Sequence, residues 1–484
     1  MTIKDLQPAL LFDIFDQINQ VPRPSKKEEK IRKFLLDFAA KHGIEAKTDA
    51  IGNVAMRVPA TPGCENAPTV VLQGHMDMVC ESNDKSFDFE NSPIKTVVEG
   101  EWVRAEGTTL GADNGIGVAA GLAVCVDKSL VHGPVECLFT VDEETGLTGA
   151  NNLGEGMITG SMLVNLDSED DAEVFVGCAG GVDTTCEFKF QPTATPAGLH
   201  FLKLDVANGL GGHSGCDIHL GRANANRLVA RFLWAQQQKH ELALAEILGG
   251  NLRNAIPRAA HAIFGVKAED KDQIVAEFNQ YVADIKAEFA GVEDAMTLTL
   301  TSADAPATCI DATTARNLIA ALYAVPNGVI GMSRDLEGLV ETSTNLASIK
   351  LLPDNVILVT TSQRSSVESC KWDIARRVEA IFALAGAKVT HGDGYPGWKP
   401  DMNSRLLQLA SDSYEELYGI RPAVKAIHAG LECGLFKLNH PHLDMVSFGP
   451  TLQGVHSPSE RMHIPATQRF WGQLTLLLEK ISKL

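Results

Sequence analysis

Cysteine never occurs in this chain as a C-x-x-C pair. Its ten cysteines are scattered, at 64, 125, 186, 309 and 433 among others, several of them in apolar runs. That distribution supports neither a disulfide framework nor a thiolate zinc site, and it leads us to expect reduced thiols in a cytoplasmic protein. Basic charge is also short: 42 Lys and Arg stand against 61 Asp and Glu, a net charge of −19. So acidic a surface argues against nucleic acid or an anionic membrane as partner, and suits a metal cation or a small substrate carrying positive charge. Solubility alone accounts for the charge equally well. The first residues, Met1-Thr2-Ile3-Lys4-Asp5, lack the basic-then-apolar pattern of a signal peptide. No stretch approaches the ~20 apolar residues of a membrane span; even 117–126 is short and rich in Ala and Gly. G-x-x-x-x-G-K-[ST] and G-x-S-x-G are both absent, so neither a phosphate-binding P-loop nor a serine-hydrolase elbow is expected.

What is present is an ordinary globular composition, 45% hydrophobic and 21% charged, in a chain of 484 residues that calls for two or three domains. Apolar residues at helical spacing predict helices over 8–20 and 28–42, with Ser25 and Glu28 placed as a capping box. Strands are expected at 44–48, 53–58 and 69–74, and a Gly-rich passage, 107–117, leads into a helix over 116–127. The continuous apolar runs 135–141 and 162–166 read as strands buried on both faces. Near 182 the texture changes to alternating strands (184–190, 201–207, 297–301, 356–361) with long amphipathic helices at 223–239, 270–289 and 366–385. Alternation implies one solvated face, as in an α+β domain. From 392 the earlier style returns, with a helix near 402–418, strands at 423–427 and 444–446, and a closing helix at 466–482. The expected architecture is therefore α/β, a mixed sheet flanked by helices. It is built from residues 1–181 and 392–484 and interrupted by an inserted α+β domain at 182–391.

Candidate chemistry gathers where the buried strands end. Gln73-Gly74-His75-Met76-Asp77 closes the apolar run 69–72, and residues i and i+2 of a strand face the same side. His75 and Asp77 can thus share a pocket, the carboxylate fixing the tautomer of a ligating imidazole. Asp113 lies in the glycine-flanked turn 110–115. Glu143 and Glu144 directly follow the run 138–141, Asp167 follows 163–166, and His456 sits in a loop after the apolar stretch ending at Phe448. A single Asp in such a turn is ordinarily a turn former; the combination carries the argument, because ligands of open α/β sheets gather beyond the carboxyl ends of strands. Oxygen and nitrogen donors without sulfur suit zinc, manganese or cobalt. Two adjacent metals need a bridging carboxylate, and a further, non-ligating carboxylate must accept the proton of the attacking water. Glu143 and Glu144 could divide those tasks.

Gly74-His75-Met76-Asp77, Gly111-Ala112-Asp113-Asn114-Gly115, Glu143-Glu144-Thr145-Gly146 and the late His456 resemble, in order and spacing, the co-catalytic metallopeptidases of the carnosinase, aminoacylase and dipeptidase family. The likeness continues through 178–181, 211–215, 252–257, 395–398 and 428–434, and so covers almost the whole chain. The resemblance implies a zinc-exopeptidase-like catalytic domain with an inserted lid domain that also forms a homodimer. It implies two divalent metals, Zn2+ first, with Co2+ or Mn2+ as alternatives. His75 and Asp167 would bind one ion, Glu144 and His456 the other, and Asp113 would bridge. Asp77 would orient His75, and Glu143 would act as general base on the attacking water.

The same resemblance points to substrate-facing residues in the insertion. His213 would hydrogen-bond the tetrahedral oxyanion. Asn254 and Arg364 would contact substrate, a guanidinium being suited to a free C-terminal carboxylate. Gly430 would offer its backbone at close approach. The implied activity is hydrolysis of unblocked dipeptides, including those ending in histidine such as carnosine. The alternatives are an N-acyl amino acid deacylase or a tripeptidase with the same metal chemistry, or an inactive binding protein on this fold.

Overall fold

The protein, described by a computed structural model over residues 2–484, divides into two compact units. The first comprises Met1–Gly177, Pro400–Ala426 and Leu431–Leu484; the second comprises Cys178–Lys399 and Ile427–Gly430.

The first unit is built on an eight-stranded mixed sheet. In spatial order its strands are Glu45–Thr48, Val54–Val58, Val135–Thr140, Val70–His75, Met162–Asn165, Asp444–Ser447, Glu173–Cys178 and Ala423–Ile427. Val70–His75 runs parallel to both Val135–Thr140 and Met162–Asn165, and the latter runs parallel to Asp444–Ser447. Every residue of the three central strands is buried, which is why their sequences are mainly apolar without alternation. Helices Ala9–Asn19 and Ala112–Val126 pack together, as do Arg405–Tyr418 and Ile464–Ile481. The fold class expected from the sequence is the one observed.

The expected capping box is not formed. Helix Glu29–His42 begins after Glu28 with no side-chain cap. The Ser25 hydroxyl instead donates to Asp77 at 2.8 Å, and the Glu28 carboxylate accepts from the backbone N–H groups of Lys26 and Asp142 at 2.8 and 3.0 Å. Both side chains are drawn into a buried polar network, where an unpaired acceptor such as the Asp77 carboxylate would cost more than an open helix end.

The second unit centres on a nine-stranded antiparallel sheet. Its strands alternate in burial, as in Gly180–Lys189 and Leu199–Ala207. Helices Ala225–Gln237, Lys271–Glu288, Ala312–Ala324 and Glu368–Leu384 contribute Leu228, Phe232, Phe278, Leu318 and Phe382 to one core with the sheet's Phe188, Leu204 and Phe264. One covered face and one open face give the period-two pattern read in the sequence.

Candidate functional site

Strand register brings the first group of candidates to one edge. His75, the last residue of its strand, is paired in register with Thr140, and Gln73 with Asn165. Glu143 therefore leaves its strand three residues, and Asp167 two residues, beyond positions already aligned with the His75 strand. Below them runs a buried ladder of polar side chains that the apolar pattern concealed. Gln73 donates to Glu432 (2.5 Å) and accepts from Asn165 (2.6 Å); Thr140 also donates to Glu432 (2.8 Å), and Ser447 donates to Asn165. Such a ladder is rigid only when its members are satisfied.

Asp113 stands between two histidines. Its Oδ1 lies 3.0 Å from His75 Nε2, and its Oδ2 lies 3.1 Å from His456 Nε2. His75 Nε2 is also 3.3 Å from Asp167 Oδ1, and His456 Nε2 is 3.1 Å from Glu144 Oε2. Donor atoms on a tetrahedral ion with bonds of ~2.0–2.2 Å lie about 3.4 Å apart, so these separations are close to those that neighbouring ligands of one ion would show. On the far side of the ring, His75 Nδ1 is 3.3 Å from Asp77 Oδ1. The buried Asp77 carboxylate also accepts from the backbone N–H groups of Glu143 (3.1 Å) and Glu144 (3.4 Å), tying the histidine to the Glu143–Gly146 turn.

Two supports were not legible beforehand. The buried Glu460 carboxylate accepts from the N–H groups of Leu110, Gly111, Ala112 and Asp113, at 2.7, 2.9, 2.8 and 3.3 Å, and so holds the loop that presents Asp113. The buried Arg23 guanidinium grips the Gly111 carbonyl at 2.5 Å. Both are single charges in otherwise featureless stretches; only their burial distinguishes them. Gly74 and Gly117 are needed where they stand, because an added Cβ would come within 2.2 and 2.5 Å of the Asn114 amide oxygen. Between them Asn114 donates to the Leu166 carbonyl at 2.6 Å.

The electrostatics of this cluster ask for cations. Hydrogen bonding to Asp113 and Glu144 pushes His456 up to about 11. Burial disfavours the charged form of His75, yet Asp167 and its other carboxylate neighbours outweigh that and hold its pKa well above the ordinary value. Burial opposes ionisation of Asp113, but hydrogen bonds from His456 and His75 keep it far below the usual carboxylate range. Asp167 is pushed up to about 6 and Glu169 to about 8, each mainly by burial and then by neighbouring carboxylates. Glu143 is raised strongly, chiefly by burial. Glu144 Oε1 and Asp167 Oδ1 are buried without a hydrogen-bond partner among the described residues, as acceptors facing a bound cation would be. His75, Asp113 and Glu144 also offer ligand atoms all within 4.8 Å of one another. The donor set fits divalent cations held by nitrogen and oxygen.

The remaining candidates lie in the second unit. Asn254 and Arg364 line a cavity of about 340 Å³ together with Asp183, Arg253 and Tyr395. The two arginines differ. Arg253 is exposed and paired with Asp183 at 2.8 Å, whereas Arg364 is buried; its hydrogen-bond partner is the Tyr395 hydroxyl at 3.0 Å, and its Nε has none. Among the described residues no carboxylate pairs with Arg364. His213 Nδ1 accepts from the N–H groups of Gly215 and Cys216 at 3.3 and 3.1 Å. That assigns the ring proton to Nε2, leaving a neutral N–H donor; burial and then Arg364 lower the His213 pKa. The segment Gly392–Gly397 has G-x-G-x-x-G spacing after the strand Lys388–His391 but leads into no helix, so it lacks the context of a dinucleotide fingerprint.

The chain is 42% identical over 480 residues to the cytosol non-specific dipeptidase of Escherichia coli (strain K12), covering 99% of each protein. It superposes on the crystal structure of aminoacylhistidine dipeptidase from Vibrio alginolyticus with a TM-score of 0.94 at 44% identity, covering 99% of this chain and 98% of that one. A tripeptidase from Staphylococcus aureus shares the fold at 15% identity and a TM-score of 0.57, covering 99% and 100% of the two chains. No helix among the described residues is long and apolar enough to cross a membrane. Residues 71–477 match the peptidase family M20/M25/M40, and with near-complete coverage by relatives above 40% identity the chain belongs to that family of peptide-bond hydrolases.

Proposed function

We propose that the protein is a metal-dependent dipeptidase cleaving unblocked dipeptides, including Xaa-His dipeptides, and that the observation carrying this reading is the Asp113 carboxylate shared between His75 and His456. His75 and Asp167 would hold one divalent ion, Glu144 and His456 the other, and Asp113 would belong to both; Zn2+ suits the donors best, with Co2+ or Mn2+ able to substitute. Bound there, such ions supply Lewis acidity that polarises a carbonyl and acidifies water. Asp77 keeps the His75 ring in one orientation through Nδ1. Glu143 takes the proton of the attacking water and returns it to the leaving amine. The His213 Nε2–H donates to the developing oxyanion. Asn254 and Gly430 contact the substrate, and Arg364, buried without a carboxylate of its own, receives the substrate's C-terminal carboxylate.

The dipeptide reading is favoured over a deacylase or tripeptidase because both relatives above 40% identity are named as dipeptidases. Cytoplasmic residence and a homodimer formed through the second unit complete the proposal. The scattered cysteines, none in a C-x-x-C pair, suit a reducing compartment, and sedimentation of the purified protein tests the dimer. The activity itself is tested by metal analysis of the purified protein with a hydrolysis panel of dipeptides, tripeptides and N-acyl amino acids. In Glu143→Ala the metal content is expected to stay near that of the parent while kcat falls by about 10²–10⁴. Full activity in that variant would remove Glu143 as the base.

A further inference from the structure

The cavity beside Arg364 holds a second donor that the family-level reading leaves without a role. We infer that Tyr395 is a substrate-binding residue whose hydroxyl donates to the same C-terminal carboxylate that Arg364 grips, so that the two side chains form one carboxylate clamp. The inference rests on the reading of Arg364 given above and adds to it a residue, an atom and a direction.

The direction follows from the chemistry of the pair. Arg364 Nη1 and Tyr395 Oη are 3.0 Å apart. A guanidinium has no acceptor, so the phenol oxygen must accept. Its own hydrogen is then free to point elsewhere, and among the described residues the Tyr395 hydroxyl donates to no acceptor. Burial raises the pKa of the phenol, so the group keeps that hydrogen at neutral pH. Tyr395 and Arg364 line the same cavity. A phenol O–H and guanidinium N–H groups on one cavity wall form the donor pair that a carboxylate's two oxygens require.

The ring is held so that the hydroxyl cannot drift. A Cβ on Gly181 would lie 2.7 Å from both Cζ and Oη of Tyr395, and a Cβ on Gly430 would lie 2.8 Å from Cε2. Two glycines thus leave a slot that the aromatic ring fills. The Tyr395 backbone exchanges hydrogen bonds with Gly181 at 2.8 and 3.0 Å. The ammonium of Lys371, itself buried, donates to the Tyr395 carbonyl at 2.8 Å. The same ammonium is paired with Glu368 at 2.9 Å, and the two contacts together fix the Tyr395 carbonyl and help preorganise the tyrosine. Gly430 acquires a second reason to be glycine, clearance for this ring.

The test uses the full-length, metal-loaded protein and a pair of substrates, a dipeptide with a free C-terminal carboxylate and the same dipeptide amidated. Tyr395→Phe keeps the ring in its slot and removes only the hydroxyl. For the free acid, kcat/KM is expected to fall roughly tenfold or more, chiefly through KM, the usual weight of a hydrogen bond to a charged group. The amide should change by less than about twofold, and the thermal midpoint should hold. If the amide is turned over too slowly to measure, inhibition by the free C-terminal amino acid should weaken tenfold in the variant, and inhibition by its amide should not. Equal losses for acid and amide, or no loss for the acid, would overturn the role of Tyr395. Arg364→Ala is run beside it. If that variant fails to distinguish acid from amide, the carboxylate site itself is wrong; if it distinguishes them and Tyr395→Phe does not, the fault lies with Tyr395 alone.

Discussion

The first unit gathers five carboxyl groups, Asp77, Asp113, Glu143, Glu144 and Asp167, around two histidines; the second buries the Arg364 guanidinium against a phenol and no carboxylate. One region carries surplus negative charge, the other an unpaired positive charge. Buried charge is costly unless matched, so each imbalance indicates the sign of the ligand that completes it, cations in the first case and an anion in the second. The comparison also separates function from stability, since neither group of residues is arranged as a fold would arrange it for its own sake.

The sharpest break in that comparison is Asp113→Asn. Removing the one carboxylate shared by His75 and His456 should lower metal stoichiometry and cut activity by well over the 10–100-fold typical of losing an outer-shell partner. Metal content at the parent level would show that Asp113 is not shared between ions. Next, Arg364→Met should cut kcat/KM for free-acid dipeptides by ~10–100-fold, as expected for a lost charge-assisted pair. Its unfolding midpoint should be equal or higher, because an uncompensated buried charge has gone. A destabilised Arg364→Met protein would mean that the guanidinium serves the fold, and the contrast between the units would fail.

The smallest effect concerns His428, whose Nε2 lies 2.8 Å from Ser343 Oγ in the second unit. Burial first, then the Arg364 charge, push its pKa down to about 3, against an ordinary value of 6.5. With the folded value depressed, the unfolded chain binds the extra proton. Stability from this group is therefore complete above pH ~6.5 and declines as the pH falls from there toward 3, by at most roughly 1.4 kcal/mol per unit. Urea midpoints measured from pH 7 to pH 4 should fall more steeply in the parent than in His428→Asn. Parallel curves would show that His428 is not held neutral beside Arg364.

Much of the molecule was legible in the sequence. Mainly apolar, non-alternating runs mark the buried central strands, alternation marks the open-faced sheet, and the candidate ligands stand out because acidic residues and histidines follow strand ends. Glu460, Arg23, Glu432 and Tyr395 left no such mark. Their roles are set by partners hundreds of residues away in some cases, as when Glu460 closes on Leu110–Asp113, and one charged or aromatic residue carries no periodicity to betray it. The capping box at Ser25 and Glu28 failed for the same reason, since both side chains answer a stronger demand from Asp77 and from the Asp142 N–H.

The sequence by itself determined the fold class, the acidic character and the order of metal-ligand candidates, because these depend on local pattern and composition, which the chain carries wherever it goes. Only the tertiary structure decided that Asp113 lies between two histidines, that Arg253 is paired while Arg364 is not, and that Tyr395 is wedged between Gly181 and Gly430 with a hydrogen to give. Those are facts about burial and distance between segments remote in the chain. They arise when packing removes water from a charged group and leaves it only the partners that the fold provides.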